Sequence, residues 1–349
     1  MLLTIVLFIL ILGVIILIHE GGHFIFAKLT GVQVYEFSLG MGPLIFKKIA
    51  KDKTQYSLRA IPIGGYVSLA GEEASDEERK RAKGKTLQDK TVFQRFLVFF
   101  AGVGFNFISA FVILVLAGLI AGAPSTEPIL HDVTEGGPAA KAGIEKGDEV
   151  LKINDHKITY LEDISLYLTV EDLNEPVKFL IKKQDGSINK YTLVPEKAKD
   201  ENGQKRYVVG IVLQADVHKG FIESIIYGFK EECAIFKQMY VVLANLFTGG
   251  VSINQLSGPV GIYSIVGEMS SEGVAALLYL TALLSINVGV INLLPLPAFD
   301  GGRILFLIIE KIKGSPVNPK VENIIHTIGF VLLIILLLYV TWNDFMKLF

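Results

Sequence analysis

Four long runs of apolar residues dominate the hydrophobic pattern of the chain. They cover approximately residues 2–27, 93–121, 274–294 and 324–342. A helix needs about 20 residues to cross a hydrocarbon core of roughly 30 Å, so each run is long enough to be a transmembrane span. No Lys or Arg precedes the first run, and no small-residue cleavage site follows it. We therefore expect a retained span there rather than a signal peptide.

The segment after the first run combines two patterns. Residues 55–72, QYSLRAIPIGGYVSLAGE, carry a Gly64-Gly65 turn signal between two apolar pieces, which indicates an apolar hairpin or a looped strand. Residues 72–85, EEASDEERKRAKGK, carry charges of both signs. The simplest interpretation of that charged run is a solvated linker.

The longer segment between the second and third runs divides in two. Residues 122–215 are polar and rich in strand patterns, with frequent turn residues. The following residues, 216–273, mix apolar positions with charges such as Glu223, Lys230 and Glu231. A fifth span would carry those charges into the bilayer and would conflict with the topology of the other spans. We therefore favour amphipathic helices lying on the membrane surface for this segment.

Composition agrees with a membrane protein. Hydrophobic residues make up 51% of the 349 residues and charged residues only 19%, against about 25% charged residues in an average soluble domain. The net charge of −2 argues against a nucleic-acid partner. The single cysteine, Cys233, excludes an intrachain disulfide and any cysteine-based metal cluster, so a metal would need His, Asp or Glu ligands.

The distribution of positive charge predicts an orientation. Thirteen Lys and Arg residues lie within 28–95 and four within 303–320, whereas residues 1–27 contain none. Short loops rich in Lys and Arg stay in the cytoplasm. We therefore expect both of these loops in the cytoplasm, with both termini and residues 122–273 outside.

The chemistry of the first run centres on IILIHEGGHFIFAK, residues 15–28. On a helix, His19 and His23 are four residues apart and project from one face about 6 Å apart, which suits two imidazole ligands of one metal ion. Glu20 lies about 100° around the helix, where it can reach a water held by that metal without being a ligand. This is the His-Glu-x-x-His pattern of zinc peptidases, in which the glutamate is a general base.

Two features of this run have more than one interpretation. The histidines alone could be a pair packed inside a helix bundle, but ionisable groups within a span are expensive and are usually functional. Gly21 and Gly22 each cost about 1 kcal/mol relative to alanine in a helix interior. They provide either close packing against another helix or space for a substrate backbone beside the metal.

A catalytic zinc site needs a third protein ligand, and the end of the third run offers one. The stretch INLLPLPAFDGGR contains Pro295 and Pro297, which must break the helix at membrane depth. Asp300 follows at about the level of His19, toward the cytoplasmic side. The Asp300-Gly301 pair is by itself a turn signal, but beside a metal motif that lacks one ligand we interpret Asp300 as that ligand.

These features together resemble the site-2 protease family of intramembrane zinc metalloproteases, in its bacterial RseP-type branch. The resemblance rests on the His-Glu-x-x-His motif at 19–23 and on the Asn-x-x-Pro-x-Pro-x-x-Asp-Gly motif at 292–301. Residues 136–158, GGPAAKAGIEKGDEVLKINDHKI, also resemble a PDZ domain of the circularly permuted bacterial kind. By that resemblance, residues 207–214 would receive an extended peptide. A single PDZ domain is expected, whereas many relatives of this branch have two.

The resemblance implies a role for each site residue. His19, His23 and Asp300 would bind Zn²⁺, and Glu20 would be the catalytic base. Asn292 would hydrogen-bond the substrate backbone or the developing oxyanion. Five further positions would support the site, by packing or by contact with these groups: Gly21, Gly22, Asn106, Pro295 and Pro297.

The resemblance also implies partners. Residues 55–72 would form a membrane-associated β-loop that pairs with an unwound substrate. The substrates would be single-span membrane proteins, either anti-sigma factors already trimmed outside the membrane or signal-peptide remnants. The PDZ domain would bind peptide termini or block bulky untrimmed substrates.

The predicted fold class is a polytopic α-helical membrane protein of about four transmembrane helices, with an inserted extracytoplasmic PDZ (α+β) domain and a membrane-associated β-loop. The expected division is an N-terminal membrane half at 1–121, the PDZ domain at 122–215, an amphipathic membrane-surface segment at 216–273 and a C-terminal membrane half at 274–349. The expected location is the lipid bilayer of the bacterial inner (plasma) membrane, with the active site toward the cytoplasmic side.

We therefore expect an intramembrane zinc metalloendopeptidase that cleaves transmembrane segments of single-span proteins in regulated intramembrane proteolysis. Two other classes stay open. One is a non-catalytic membrane adaptor whose PDZ domain captures extracytoplasmic peptides. The other is a membrane-anchored zinc peptidase with a solvent-facing site that clears soluble misfolded proteins. That last class usually takes its third ligand from a helix outside the membrane.

Overall fold

A computed structural model of the chain describes residues 1–71, 85–199, 205–252, 254 and 256–347. The helices are α1 (Leu2–Leu29), α2 (Val92–Ala121), α3 (Pro138–Ala142), α4 (Leu161–Val170), α5 (Phe221–Thr248), α6 (Pro259–Glu272), α7 (Val274–Leu293), α8 (Asp300–Lys313) and α9 (Pro319–Lys347). The strands are β1 (Val34–Ile49), β2 (Gln55–Leu69), β3 (Ala123–Pro124), β4 (Asp132–Val133), β5 (Glu149–Ile153), β6 (His156–Lys157), β7 (Val177–Lys182), β8 (Ile188–Leu193), β9 (Glu196–Lys199), β10 (Lys205–Val208), β11 (Ile211–Val212) and β12 (Val217–His218). The charged run predicted as a linker lies outside the described residues, apart from Lys85.

The four predicted spans are confirmed as helices. By length and composition, α1, α2, α7 and α9 are each apolar enough to cross a membrane. The predicted proline break is also confirmed, because α7 ends at Leu293, just before Pro295 and Pro297. Asp300 does not lie in an isolated turn but is the first residue of α8. A carboxylate in the first turn of a helix is favoured by the helix dipole.

The chain divides into two compact units. The helical unit comprises Met1–Ile113 and Ile253–Phe349, and the middle unit comprises Leu114–Ser252. In the helical unit, α6 packs against α1 and α7 through an apolar cluster. The most buried members of that cluster are Ile11, Ile15, Val266 and Leu280.

The contact between α1 and α2 depends on a single glycine. A Cβ added to Gly22 would lie 2.4 Å from the carbonyl oxygen of Ala101, so the two backbones approach as closely as only glycine allows. A Cβ on the neighbouring Gly21 would meet nothing within 4 Å. Of the two interpretations of this glycine pair, close helix packing therefore applies to Gly22 and open space to Gly21.

A bent antiparallel sheet of β1 and β2 lies beside α1. Residues 34–39 pair with 65–69, and residues 46–49 pair with 55–58. Of the two forms expected for 55–72, the looped strand is confirmed and the self-contained hairpin is wrong. Its partner is β1, which the sequence analysis did not predict, although apolar residues alternate with polar residues or glycine over 35–41.

The middle unit is built around a four-stranded sheet with the order β6-β5-β7-β8. Lys237 of α5 forms an ion pair with Asp163 of α4, with Nζ 2.6 Å from Oδ2. The same carboxylate is fully buried and accepts hydrogen bonds from the backbone N–H groups of Thr159 and Tyr160. These donors compensate its charge and fix α4 against α5. The core behind the sheet contains the large buried side chains of Ile153, Phe179 and Ile181.

The segment 216–273 contains two helices, α5 of 28 residues and α6 of 14 residues. Within the described residues, neither is among the helices that are apolar enough to cross a membrane. This agrees with the preference for amphipathic helices over a fifth span. That these helices lie on the membrane surface stays a prediction.

Substitution of Gly22 by alanine should destabilise the helical unit, because the new Cβ would overlap the Ala101 carbonyl. Overpacking of this kind costs about 1–3 kcal/mol. Gly21→Ala is the matched control, since its Cβ would meet no other atom within 4 Å and alanine favours a helix by about 1 kcal/mol. Thermal unfolding in detergent should show a lowered midpoint for Gly22→Ala alone. Equal midpoints would contradict the close approach of the two helices.

Candidate metal centre

Three side chains converge at one point of the helical unit. The Nε2 atoms of His19 and His23 are 3.3 Å apart, and each lies 3.2 Å from Oδ2 of Asp300. Among the described residues, this is the one group of His, Cys, Asp or Glu side chains with an arrangement that could hold a metal ion. Both histidines are only 8% exposed, so the group is largely withdrawn from solvent.

Two separate elements bring these side chains together. The helix α1 places His19 and His23 one turn apart on the same face. Asp300 comes from the start of α8, after the loop that ends α7.

The donor set fits zinc in both chemistry and spacing. Zinc binds imidazole nitrogen and carboxylate oxygen at about 2.0–2.2 Å in tetrahedral sites, which separates neighbouring ligand atoms by about 3.3 Å. The observed separations are 3.2 to 3.3 Å. Three protein ligands are also the number typical of catalytic zinc sites, in which the fourth position is left for water or substrate.

The outer nitrogens of both imidazoles have partners on α2. Nδ1 of His23 lies 2.8 Å from the carbonyl oxygen of Val98, which can accept its proton. Nδ1 of His19 lies 3.3 Å from the side-chain amide of Asn106. A histidine that binds metal through Nε2 carries its proton on Nδ1 and needs an acceptor there. The atom of Asn106 nearest to the ring is Nδ2, and exchanging the two amide atoms by a half-turn of the side-chain amide would put the acceptor Oδ1 there. The structure therefore gives Asn106 a contact with the site.

Room for the imidazoles comes from a glycine of α2 that the sequence analysis missed. A Cβ on Gly102 would lie 2.3 Å from Nε2 of His23 and 2.9 Å from Cε1 of His19. The position is therefore closed to any larger residue while the histidines keep this geometry. The small residues of the AGVG stretch were a signal for this close approach, but only Asn106 was singled out from that stretch.

A cavity of about 230 Å³ opens beside the three side chains. Glu20 lines it without being one of the converging ligand atoms, which suits a group that accepts a proton from a water at the site. Asn292 also lines the cavity, and its side-chain amide donates to the backbone oxygen of Val288 at 3.0 Å. Lining side chains that the sequence analysis did not assign to the site include Tyr66, Val67 and Arg303.

Comparison with known proteins identifies the family of the chain. The profile of peptidase family M50 matches residues 7–336 of the chain. The chain belongs to this family. Peptidase family M50 is the site-2 protease family, and the match spans α1 with its two histidines, Asp300 and most of α9.

Individual relatives of this M50 protease cover the whole chain. The regulator of sigma-W protease RasP of Bacillus subtilis (strain 168) is 33% identical in an alignment of 422 positions, gaps included, that covers 99% of each chain. The zinc metalloprotease RasP of Bacillus licheniformis is 34% identical in an alignment of 424 positions that again covers 99% of each chain. A protein of Clostridium acetobutylicum is 37% identical over 341 residues, 98% of this chain and 97% of that one.

These comparisons confirm three predictions for the M50 protease. The chain is a member of the site-2 protease family, it is a metalloprotease, and its metal is Zn²⁺. With its four apolar helices, it is a membrane protein. The roles of His19, Glu20, His23 and Asp300 stay predictions, which the geometry of the converging side chains supports.

Gly102→Ala should lower the zinc content of the purified M50 protease, because the new Cβ would occupy the place of the His23 ring. Gly104→Ala is the matched control on the same helix, since its Cβ would make only an ordinary contact of 3.6 Å with Phe100. Atomic absorption should find sub-stoichiometric zinc in Gly102→Ala and wild-type zinc in Gly104→Ala. Full zinc content in both variants would be inconsistent with a metal held at these histidines.

Proposed function

We propose that this M50 protease is an intramembrane endopeptidase that cleaves transmembrane segments of single-span membrane proteins. One observation carries the proposal. Two of the converging side chains belong to the apolar helix α1, and the third follows the apolar helix α7 after a loop of six residues, 294–299. Origin from such elements supports a site within the membrane-spanning part of the molecule rather than on a separate soluble domain.

In the proposed reaction, His19, His23 and Asp300 hold the zinc ion. When bound, zinc supplies Lewis acidity toward a water and toward the scissile carbonyl. Glu20 takes a proton from the attacking water on its carboxylate and then delivers it to the nitrogen of the leaving amine, as the peptide C–N bond breaks. We assign to Asn292 a hydrogen bond to the substrate backbone or to the developing oxyanion, because its amide lines the same cavity.

A transmembrane substrate must also be unwound, because helical hydrogen bonds hide its peptide groups. The strand segment 65–68 pairs on one side with 36–39. In the described part of the chain, no second strand pairs with 65–68 on the other side. Its residues Tyr66 and Val67 line the cavity beside Glu20. We propose that an extended substrate adds to this free edge, which would hold the scissile bond at the site.

The proposed topology follows from the Lys and Arg distribution. Residues 28–95 and 303–320 face the cytoplasm, and both termini and the middle segment lie outside the inner membrane. His19 is then about 27 Å along α1 from its outer end. The site would thus lie inside the bilayer, toward the cytoplasmic side.

For residues 122–215 we propose a PDZ domain. Support comes from the sheet of β5 to β8, and from the short ladder in which β11 pairs with β4. In this proposal residues 207–214 receive an extended peptide, so the domain either binds peptide termini or blocks bulky untrimmed substrates.

The proposed substrates are anti-sigma factors or signal-peptide remnants. The name of the Bacillus subtilis relative links that protein to the regulation of sigma-W, which favours the first class. Membership in a zinc metalloprotease family argues against the non-catalytic adaptor. A peptidase that clears soluble misfolded proteins is the alternative that a substrate assay must separate.

Replacement of Glu20 by glutamine should abolish cleavage of a reconstituted single-span substrate while zinc stays bound. Loss of a general base typically lowers the rate by about 10²–10⁴-fold. Glu268→Gln, which makes the same charge change at an exposed position of α6, is the matched control and should cleave as the wild type does. Membrane proteomics should show single-span fragments accumulating in Glu20→Gln cells only.

Two results would count against the proposal. Cleavage by purified Glu20→Gln at the wild-type rate would remove Glu20 from the mechanism. Preference for soluble casein over the membrane-embedded substrate would favour the alternative peptidase with a solvent-facing site.

A further inference from the structure

The fourth span contacts the loop that carries Asp300. The backbone N–H of Ala298 donates a hydrogen bond to Nδ1 of His326, at 3.0 Å. His326 belongs to α9, near the start of that helix, and Ala298 lies two residues before Asp300. The contact therefore joins α9 to the segment that positions the third side chain of the metal centre.

Ala298 has an unusual backbone conformation at this point. Its φ is +76°, in the left-handed region that residues other than glycine seldom adopt. Such a conformation persists only where surrounding contacts impose it. The hydrogen bond to His326 is one such contact, because it satisfies the N–H group of a residue in the loop between α7 and α8.

A second contact holds the same loop from α9. A Cβ on Gly329 would lie 2.3 Å from Cβ of Pro297 and 2.9 Å from its backbone carbon and oxygen. On the other side of the loop, a Cβ on Gly302 of α8 would lie 2.3 Å from the carbonyl oxygen of Leu296. The loop therefore makes close backbone contacts with both α8 and α9, at Leu296 and at Pro297.

The hydrogen bond also defines the state of the His326 ring. Since Nδ1 accepts from an N–H group, the neutral ring carries its proton on Nε2. The ring contacts that of Phe306 in α8, with 5.6 Å between the ring centroids and 50° between the ring planes. His326 is thus oriented by α8 and presents an acceptor, not a metal ligand, to the loop.

We propose that His326 is a positioning residue for the metal centre. Its Nδ1 holds the Ala298 backbone in the left-handed conformation, and this conformation directs the chain so that the Asp300 carboxylate meets the two imidazoles of α1. In this proposal α9, the fourth span, also holds the loop that carries Asp300. The inference rests on the proposed role of Asp300 as a zinc ligand.

Two substitutions of His326 distinguish the effect of the hydrogen-bond acceptor at Nδ1 from the effect of side-chain size. In His326→Asn, the side-chain oxygen occupies nearly the place of Nδ1 and can accept from Ala298. In His326→Gln, the oxygen reaches nearly the place of Nε2 and cannot accept a hydrogen bond from Ala298. Zinc affinity of the purified full-length protein, measured by competition with a chelator, should fall about 10-fold or more for the glutamine variant. The asparagine variant should stay close to the wild type.

Three further variants complete the experiment. Thr327→Ala, at the exposed neighbouring position, should keep wild-type zinc affinity. Gly329→Ala should lose affinity as His326→Gln does, because its Cβ would displace Pro297, and it provides an independent test if the glutamine variant does not fold. Asp300→Ala should lose affinity most.

These zinc affinities test the positioning role of His326 separately from the role of Asp300 as a zinc ligand. Equal zinc affinity in the asparagine and glutamine variants, whether high or low, would overturn the positioning role of His326. Wild-type affinity in Gly329→Ala would overturn it as well. Wild-type affinity in Asp300→Ala would instead overturn the proposed metal site itself, whatever the His326 variants do.

Discussion

A buried carboxylate that lies 3.2 Å from two buried imidazoles is the interaction on which the rest of this structure depends. Inside a membrane protein an isolated carboxylate is costly, and partners or a metal ion must offset that cost. The imidazoles come from α1 and the carboxylate from the start of α8. The three side chains therefore converge only when α1 and the start of α8 are packed together, so the candidate metal centre depends on correct assembly of the helical unit.

Several local features are explained by that requirement. Gly22 lets α1 approach α2, and Gly102 leaves room on α2 for the two imidazole rings. The carbonyl of Val98 and the amide of Asn106 lie against the outer nitrogens of those rings. The prolines end α7 early enough for the chain to turn and begin α8 with Asp300. Backbone groups freed at such a break need partners inside the protein, and His326 supplies one of them.

Much of this architecture could be predicted from the sequence because its signals are local. The apolar runs predict the position and length of the spans. Helical periodicity predicts that His19 and His23 lie on the same face of α1. Asp300 could be proposed because a zinc site with two ligands is incomplete. The contact of His326 could not be predicted, because it depends on which residues meet across a long stretch of chain, and a single sequence carries no such information. The strand β1 and the role of Gly102 had local signals that the sequence analysis did not use, namely the alternation over 35–41 and the small residues of the AGVG stretch. Of the two forms expected for 55–72, the looped strand was right and the hairpin was wrong, because the partner strand β1 lies upstream.

The central claim is that His19, His23 and Asp300 together hold the zinc of this M50 protease. X-ray absorption at the zinc edge of the purified protein tests it most directly, because this method reports the type and distance of the atoms around the metal. The account predicts a four-coordinate zinc with two imidazole nitrogens and two oxygens at about 2.0–2.2 Å. Sulfur in the first shell, or a single imidazole, would contradict it.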